Sequence, residues 1–204
     1  MSRDTARAAT QFFGGRLCLD FANTMDWRTS EAPQELIPDY AALLRWSKAR
    51  RILSAKVVAK LQAQGAHRGA DATAVMHEAY ALRGEIWKAA EALCQGGQVH
   101  LAPLNRRLAP LPAQPGLVGD GAGYVHDLPG AALEEVLWPV LWSFTALLSS
   151  DDGSRVGCCQ AQGCGWFFVD ESPNRSRLWC SIEICGNRER ARRAYAKRKS
   201  RVIS

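Results

Sequence analysis

The chain has 204 residues, with 26 Lys and Arg against 20 Asp and Glu and a formal charge of +6. At 47% hydrophobic and 23% charged residues it has an ordinary globular composition, which excludes a mostly disordered chain, and its length suits one domain with a smaller module. The charge is uneven. Residues 1–150 hold 15 basic against 14 acidic side chains, residues 151–204 hold 11 against 6, and 186–204 alone hold eight basic residues against Glu189.

Met1 to Gly15 contains Arg3, Asp4 and Arg7 and no apolar run, so no secretory leader is read there and a cytoplasmic location is expected. The most apolar stretch, Val136 to Leu148, is shorter than the roughly 20 residues of a membrane helix and contains Pro139. It reads as a buried core helix, and no membrane partner is expected.

In chain order, residues 1–11 are polar and expected to fray. Gly14-Gly15 opens an apolar block, Arg16 to Thr24, read as a short helix. Asp39 is a predicted N-cap for a helix carrying Tyr40, Leu43, Leu44 and Trp46 on one face, and a second helix is predicted from Ser54 to about Gln64, ending in a Gly65–Gly69 loop. The longest helical pattern starts at Asp71, with Val75, Ala79, Leu82, Ile86 and Leu93 in register, and stops at Gly96-Gly97. A short helix over 101–108 follows. Leu117-Val118 and Tyr124-Val125 around Gly119-Asp120-Gly121 predict a small hairpin. A last core helix is predicted from Ala131 to Ser149, and Asp151-Asp152-Gly153 marks the expected boundary between a mainly helical domain, 1–152, and a C-terminal module, 153–204.

Five of the seven cysteines fall between 158 and 185. In a reducing compartment such a cluster points to a metal rather than to disulfides. Cys159-x4-Cys164 and Cys180-x4-Cys185 are equally spaced pairs, able to supply four soft ligands to one structural Zn²⁺. Cys158 is an alternative to Cys159, which is preferred because it makes both spacings equal. Between the pairs, Trp166 to Val169 is β-prone, Asp170 to Asn174 has turn chemistry, and Arg175 to Trp179 is the predicted return strand. Knuckle, hairpin, second pair and helix make a treble-clef-like ββα layout, whose folding depends largely on the metal. Four thiolates leave no open coordination position, and all four histidines precede the module, so catalysis at the metal is not expected. No hydrolase triad, metalloprotease motif or phosphate loop is present either, and an enzyme is not expected.

The arginine-rich tail suits a phosphate backbone. Arg175, Arg177, Asn187, Arg188, Arg190, Arg192, Arg193, Lys197 and Arg198 are the candidate nucleic-acid contacts. The alternatives are a basic tail that docks an acidic protein and an RNA-binding factor that stacks bases on Trp166, Trp179 or Tyr195.

Cys159 to Arg188 closely resembles the CGNR-type zinc-finger family of bacterial regulators. The resemblance is carried by Gly165 to Asp170, Asn174-Arg175-Ser176-Arg177 and Trp179-Cys180-Ser181-Ile182-Glu183-Ile184-Cys185-Gly186-Asn187-Arg188. Gly14 to Thr24 resembles the start of the ABATE domain that accompanies this finger. The resemblance implies a stress- or ligand-responsive transcription regulator, with a mainly helical N-terminal domain and a zinc finger that binds DNA. A small-molecule effector would then need a site. Asp20, Asn23, Trp27, Arg28 and Arg83 are the candidate lining for a polar or anionic ligand. The same residues are also compatible with caps and a buried ion pair, such as Asp20 with Arg28 or Arg83, and this structural reading is the preferred one. The oligomeric state stays open, a dimer included.

Overall fold

The computed structural model describes residues 11–119, 121 and 123–202, with side chains as far as Lys199. Most of the segment expected to fray (1–10), Asp120 of the predicted turn and the side chain of Arg201 lie outside the described residues.

Helix α1 (Leu17–Ala22) follows the double glycine and is buried from Cys18 to Ala22. A two-residue ribbon comes next, β1 (Met25–Asp26) antiparallel to β2 (Gln34–Glu35). It is too short to leave a period-2 signature in the sequence. Helix α2 (Tyr40–Ala49) is capped as predicted, Asp39 Oδ1 accepting from the Ala42 N–H at 2.7 Å. Helix α3 (Ala55–His67) is capped by Ser54, whose Oγ accepts from the Val57 N–H at 3.2 Å.

The predicted Gly65–Gly69 loop is replaced by helix. α3 runs to His67, and α4 (Gly69–Cys94) begins after Arg68 alone. Gly65 serves a close approach rather than a stop, because a Cβ there would lie 2.9 Å from the Tyr40 ring. Its absence lets α3 sit tightly on α2. Helix α4 buries Val75, Ala79, Leu82 and Ile86 along the predicted stripe, and α5 (Ala102–Leu108) follows. Strands β3 (Leu117–Gly119) and β4 (Tyr124–His126) form the predicted hairpin, Val118 opposite Val125.

The predicted 131–149 helix is divided. Residues Leu133–Leu137 wind as a 3₁₀ turn, and α6 (Trp138–Leu148) starts beside Pro139. The proline ring excludes a regular α-helical turn over the carbonyl four residues earlier. Glu135 anchors the start of the turn, its carboxylate accepting from the N–H groups of Gly130, Ala131 and Ala132 at 2.6–2.9 Å.

After a 3₁₀ turn (Asp151–Arg155), β5 (Val156–Cys158) pairs antiparallel with β6 (Phe167–Val169), Cys158 opposite Phe167. The return strand predicted at Arg175 to Trp179 does not form. Two interactions account for this. Val169 N–H donates to Gly14 O at 2.9 Å, and Asp170 folds the following segment into a turn, accepting from Ser172 N–H and Oγ and from Arg177 N–H at 2.6–2.9 Å. Those bonds hold the Asp170 carboxyl below its ordinary value although burial opposes them. The two strands therefore embrace the first cysteine pair, and the ββα layout holds with a different strand partner. A π-turn (Ile182–Gly186), capped by Ser181 Oγ accepting from the Ile184 N–H at 3.2 Å, leads into α7 (Asn187–Val202).

Helices α1–α6 share one apolar core, with Leu19, Phe21, Leu43, Leu82, Ile86 and Val136 almost fully buried. Val156, Phe167 and Val169 from beyond the expected boundary belong to that same core. The cysteine-bearing part keeps only a small cluster of its own, with Trp166, Phe168 and Leu36 packed around the four sulfurs.

Candidate zinc centre and nucleic-acid interface

Cys159 and Cys164 sit on the knuckle between β5 and β6, Cys180 precedes the π-turn, and Cys185 closes it. Their four sulfurs all lie within 4.8 Å of one another, and all four residues are buried. The Cys164–Cys180 and Cys180–Cys185 sulfur separations are 3.8 and 3.5 Å. A tetrahedron of thiolates with Zn–S bonds near 2.3 Å has an edge of roughly 3.8 Å. The donor set, spacing and closure fit one structural Zn²⁺. A divalent cation among them holds all four as thiolates.

Cys158 is outside the cluster. Its sulfur faces away, in weak contact with the Cys159 carbonyl at 4.0 Å and within the influence of Arg28 and Cys94. Cys159 is therefore the member of the adjacent pair that joins the other three.

The knuckle is braced by the helical region. Arg28 N–H donates to Cys164 O at 3.1 Å, Arg28 Nε to Gly165 O at 3.0 Å, and Trp166 Nε1 to Met25 O at 2.9 Å. Gly165 adopts a φ of +66°, and a Cβ there would come within 2.5 Å of the Thr29 methyl. Only glycine gives both the left-handed turn and this approach.

The five residues read as a ligand lining serve other ends. Asp20 accepts from Gly14 N–H and from Arg50 Nε, each at 2.8 Å; its partner is Arg50, not Arg28 or Arg83. Burial raises its carboxyl above the ordinary value against those two contacts. Asn23 grips β6 through both amide atoms, Nδ2 donating to Phe167 O at 2.8 Å and Oδ1 accepting from Phe167 N–H at 2.9 Å. Arg28 pairs with Glu91 at 2.7 Å and lies over Phe167 and Trp87. Arg83 pairs with Glu35 and donates to Thr24 Oγ1 at 2.8 Å, stacked on Tyr80 and Trp87. Trp27, at φ +53°, carries the Arg188 guanidinium 4.2 Å above its ring. Asn23, Trp27 and Arg28 form the joint between the helical region and the finger, whereas Asp20 and Arg83 brace the helical region itself.

The basic candidates divide into two groups. Arg177 is structural: it donates to the carbonyls of Phe13, Val169, Trp179 and Cys180 at 2.6–3.1 Å and stacks on Phe168 at 4.2 Å. Arg188 is held by Trp27 and donates to Cys185 Sγ at 3.5 Å, a contact that supports a metal-bound thiolate. Arg192 is paired with Glu189 at 2.8 Å. Glu189 also accepts from Gln162 N–H at 3.1 Å, so Arg192 and then Gln162 keep its carboxyl below the ordinary value. Asn187 closes the start of the helix, donating to Glu183 O at 3.0 Å and accepting from Arg190 at 2.9 Å. Arg175, Arg190, Arg193, Lys197, Arg198 and Lys199 are exposed, and α7 is exposed on every side from Arg190 to Lys199. Of the aromatic rings predicted as stacking surfaces, Trp166 is 4% exposed and Trp179 half-buried, while Tyr195 is 64% exposed.

Locally the sequence dictated the sulfur cluster; the roles of Asn23 and Trp27 depend on partners more than a hundred residues away and had no local signal. The double-glycine block and Asp170 were the visible traces of that docking.

A buried four-sulfur cluster enclosed by two strands and a helix defines a zinc-finger protein, here joined to a mainly helical region. Residues 15–151, about two thirds of the chain, match the ABATE family, described as "Putative stress-induced transcription regulator", and residues 155–198 match the CGNR zinc finger. The chain belongs to the ABATE family and carries a CGNR zinc finger. These are regulatory and zinc-finger families, not enzyme families. Comparison with curated proteins gives no match. Among the described residues, no helix is long and apolar enough to cross a membrane.

Proposed function

We propose that this protein is a DNA-binding transcription regulator in which zinc orders the reader and the helical region modulates it. The observation that carries the reading is the position of α7. Its first turn is fastened to the sulfur cluster and to Trp27, while the turns beyond leave their cations exposed. Such a helix buries almost no apolar surface of its own and gains most from a polyanion. Arg190, Arg193, Lys197, Arg198 and Lys199, with Arg175 from the turn, form the proposed phosphate- and groove-facing set. Arg177 and Arg188 hold the finger instead. Duplex DNA suits the reading better than stacked single-stranded RNA, because only Tyr195 of the proposed stacking rings is fully open.

The direct test is selection from random duplex DNA with zinc-loaded full-length protein, followed by competition with RNA of matched length. Recovery of a defined duplex motif supports the reading, and a palindrome would indicate a dimer. Preferential RNA capture, or a pull-down of acidic protein that nuclease treatment does not disturb, would replace it.

A further inference from the structure

Of the joint residues, Trp27 lines clefts beside the sulfur cluster and α7, and a separate cavity lies within the helical region. A cavity of about 510 Å³ lies between α2, α3 and α4, walled by Tyr40, Leu44, Ala66, Met76 and Tyr80. That volume is within the roughly 300–1,000 Å³ of small-molecule sites. Both phenol hydroxyls are already used, Tyr40 donating to Leu133 O at 2.9 Å and Tyr80 to Ile37 O at 3.1 Å. The rings therefore offer faces and edges rather than hydrogen bonds.

Charge selects among apolar ligands. No Lys or Arg is among the lining residues; the ionisable side chains there besides the two tyrosines are His77 and Asp39, which stands exposed at the mouth with one carboxylate oxygen engaged in the α2 cap. Burial first, and then nearby carboxylates (Glu134 and Glu135 at Tyr40, Glu35 and Asp39 at Tyr80), raise both phenols above their ordinary value against Arg68 and against Arg83, whose guanidinium lies 5.0 Å over the Tyr80 ring. Two aromatic walls, a polarisable thioether and a carboxylate at the rim form a setting for a cation with an apolar body. We propose that this cavity binds a small lipophilic organic cation, its aromatic or branched body between Tyr40, Met76 and Tyr80 and its charge beside Asp39.

The proposal places the ligand-sensing half of the regulator reading, on which its biological meaning rests. Its test uses no DNA, so failure of one is distinguishable from failure of the other. Zinc-loaded full-length protein is titrated with the planar cation berberine, and separately with the uncharged fluorophore N-phenyl-1-naphthylamine, following fluorescence. Saturable one-site binding of berberine is expected, weakened at least tenfold by either Ala66→Phe or Thr73→Phe, both exposed positions on the cavity wall. Thermal unfolding and zinc content check that each variant is folded. Asp39→Asn keeps the cap, since Asn and Asp cap equally well, and is expected to weaken berberine by about two- to fivefold while leaving the uncharged probe unchanged. Absence of saturable berberine binding, or binding indifferent to both filling variants, overturns the site. Equal effects of Asp39→Asn on the two probes, or none on berberine, overturn the cationic class.

Discussion

The helical region and the finger solve the problem of folding in different ways. The first buries Leu, Ile, Val and Phe side chains from helices α1–α6 in a continuous core, and area removed from water stabilises it. The second keeps a handful of buried side chains around four sulfurs, so its order depends on a metal worth about 10–16 kcal/mol in comparable small fingers. The difference is not a separation, however. Phe167 and Val169 of the finger lie in the helical core, and Asn23 and Arg28 of the helical region hold the knuckle. A metal-dependent finger built on an apolar platform is held by that platform at one end and stays exposed at the other.

The largest way to break the comparison is to remove the metal. Cys180→Ser is expected to lose the one zinc per chain and to disorder residues beyond about 170, while helices α2–α4 persist. Metal analysis and hydrogen exchange check this, and full zinc retention would refute the ligand set. Arg177→Leu strips the donors from four carbonyls and is expected to cost about 3 kcal/mol or more. Arg190→Gln, on the exposed helix, should stay within about 0.5 kcal/mol of the parent. Urea denaturation distinguishes a structural arginine from a reading one.

Asn23→Ala tests the joint itself. It leaves the Phe167 N–H and carbonyl without their partner, an expected loss of about 2–4 kcal/mol. Because the contact spans both regions, the single unfolding transition should separate into two, seen as non-coincident circular-dichroism and zinc-release curves. The smallest effect concerns the thiols. Burial pushes the Cys18 and Cys94 thiols up to about 12, so both should resist iodoacetamide at pH 8. The four ligand sulfurs, protected by zinc, should become reactive once a chelator is added.

Elements with local causes were legible in the sequence: the Asp39 and Ser54 caps, the α4 stripe, the β3–β4 hairpin and the paired cysteines. Elements decided by distant partners were not. Gly65 looks like a helix stop until Tyr40 is seen against it, and Trp166 to Val169 pairs backwards with Val156 to Cys158, a segment with little strand signal of its own. Arg177 and Arg188 are indistinguishable by composition from Arg190 and Arg193. Only carbonyls in one case and an indole in the other assign them to structure. Spacing therefore located the metal, but packing was needed to separate the arginines that build the finger from those left exposed.

The central claim is tested most directly by the salt dependence of binding to a selected duplex, measured with zinc-loaded full-length protein. With about five phosphates neutralised, log K should fall against log salt with a slope of roughly −4 to −5. Arg190→Gln or Arg193→Gln should each reduce the slope by about 0.9. Affinity that barely changes between low and moderate salt, or a slope unaffected by both substitutions, would contradict it.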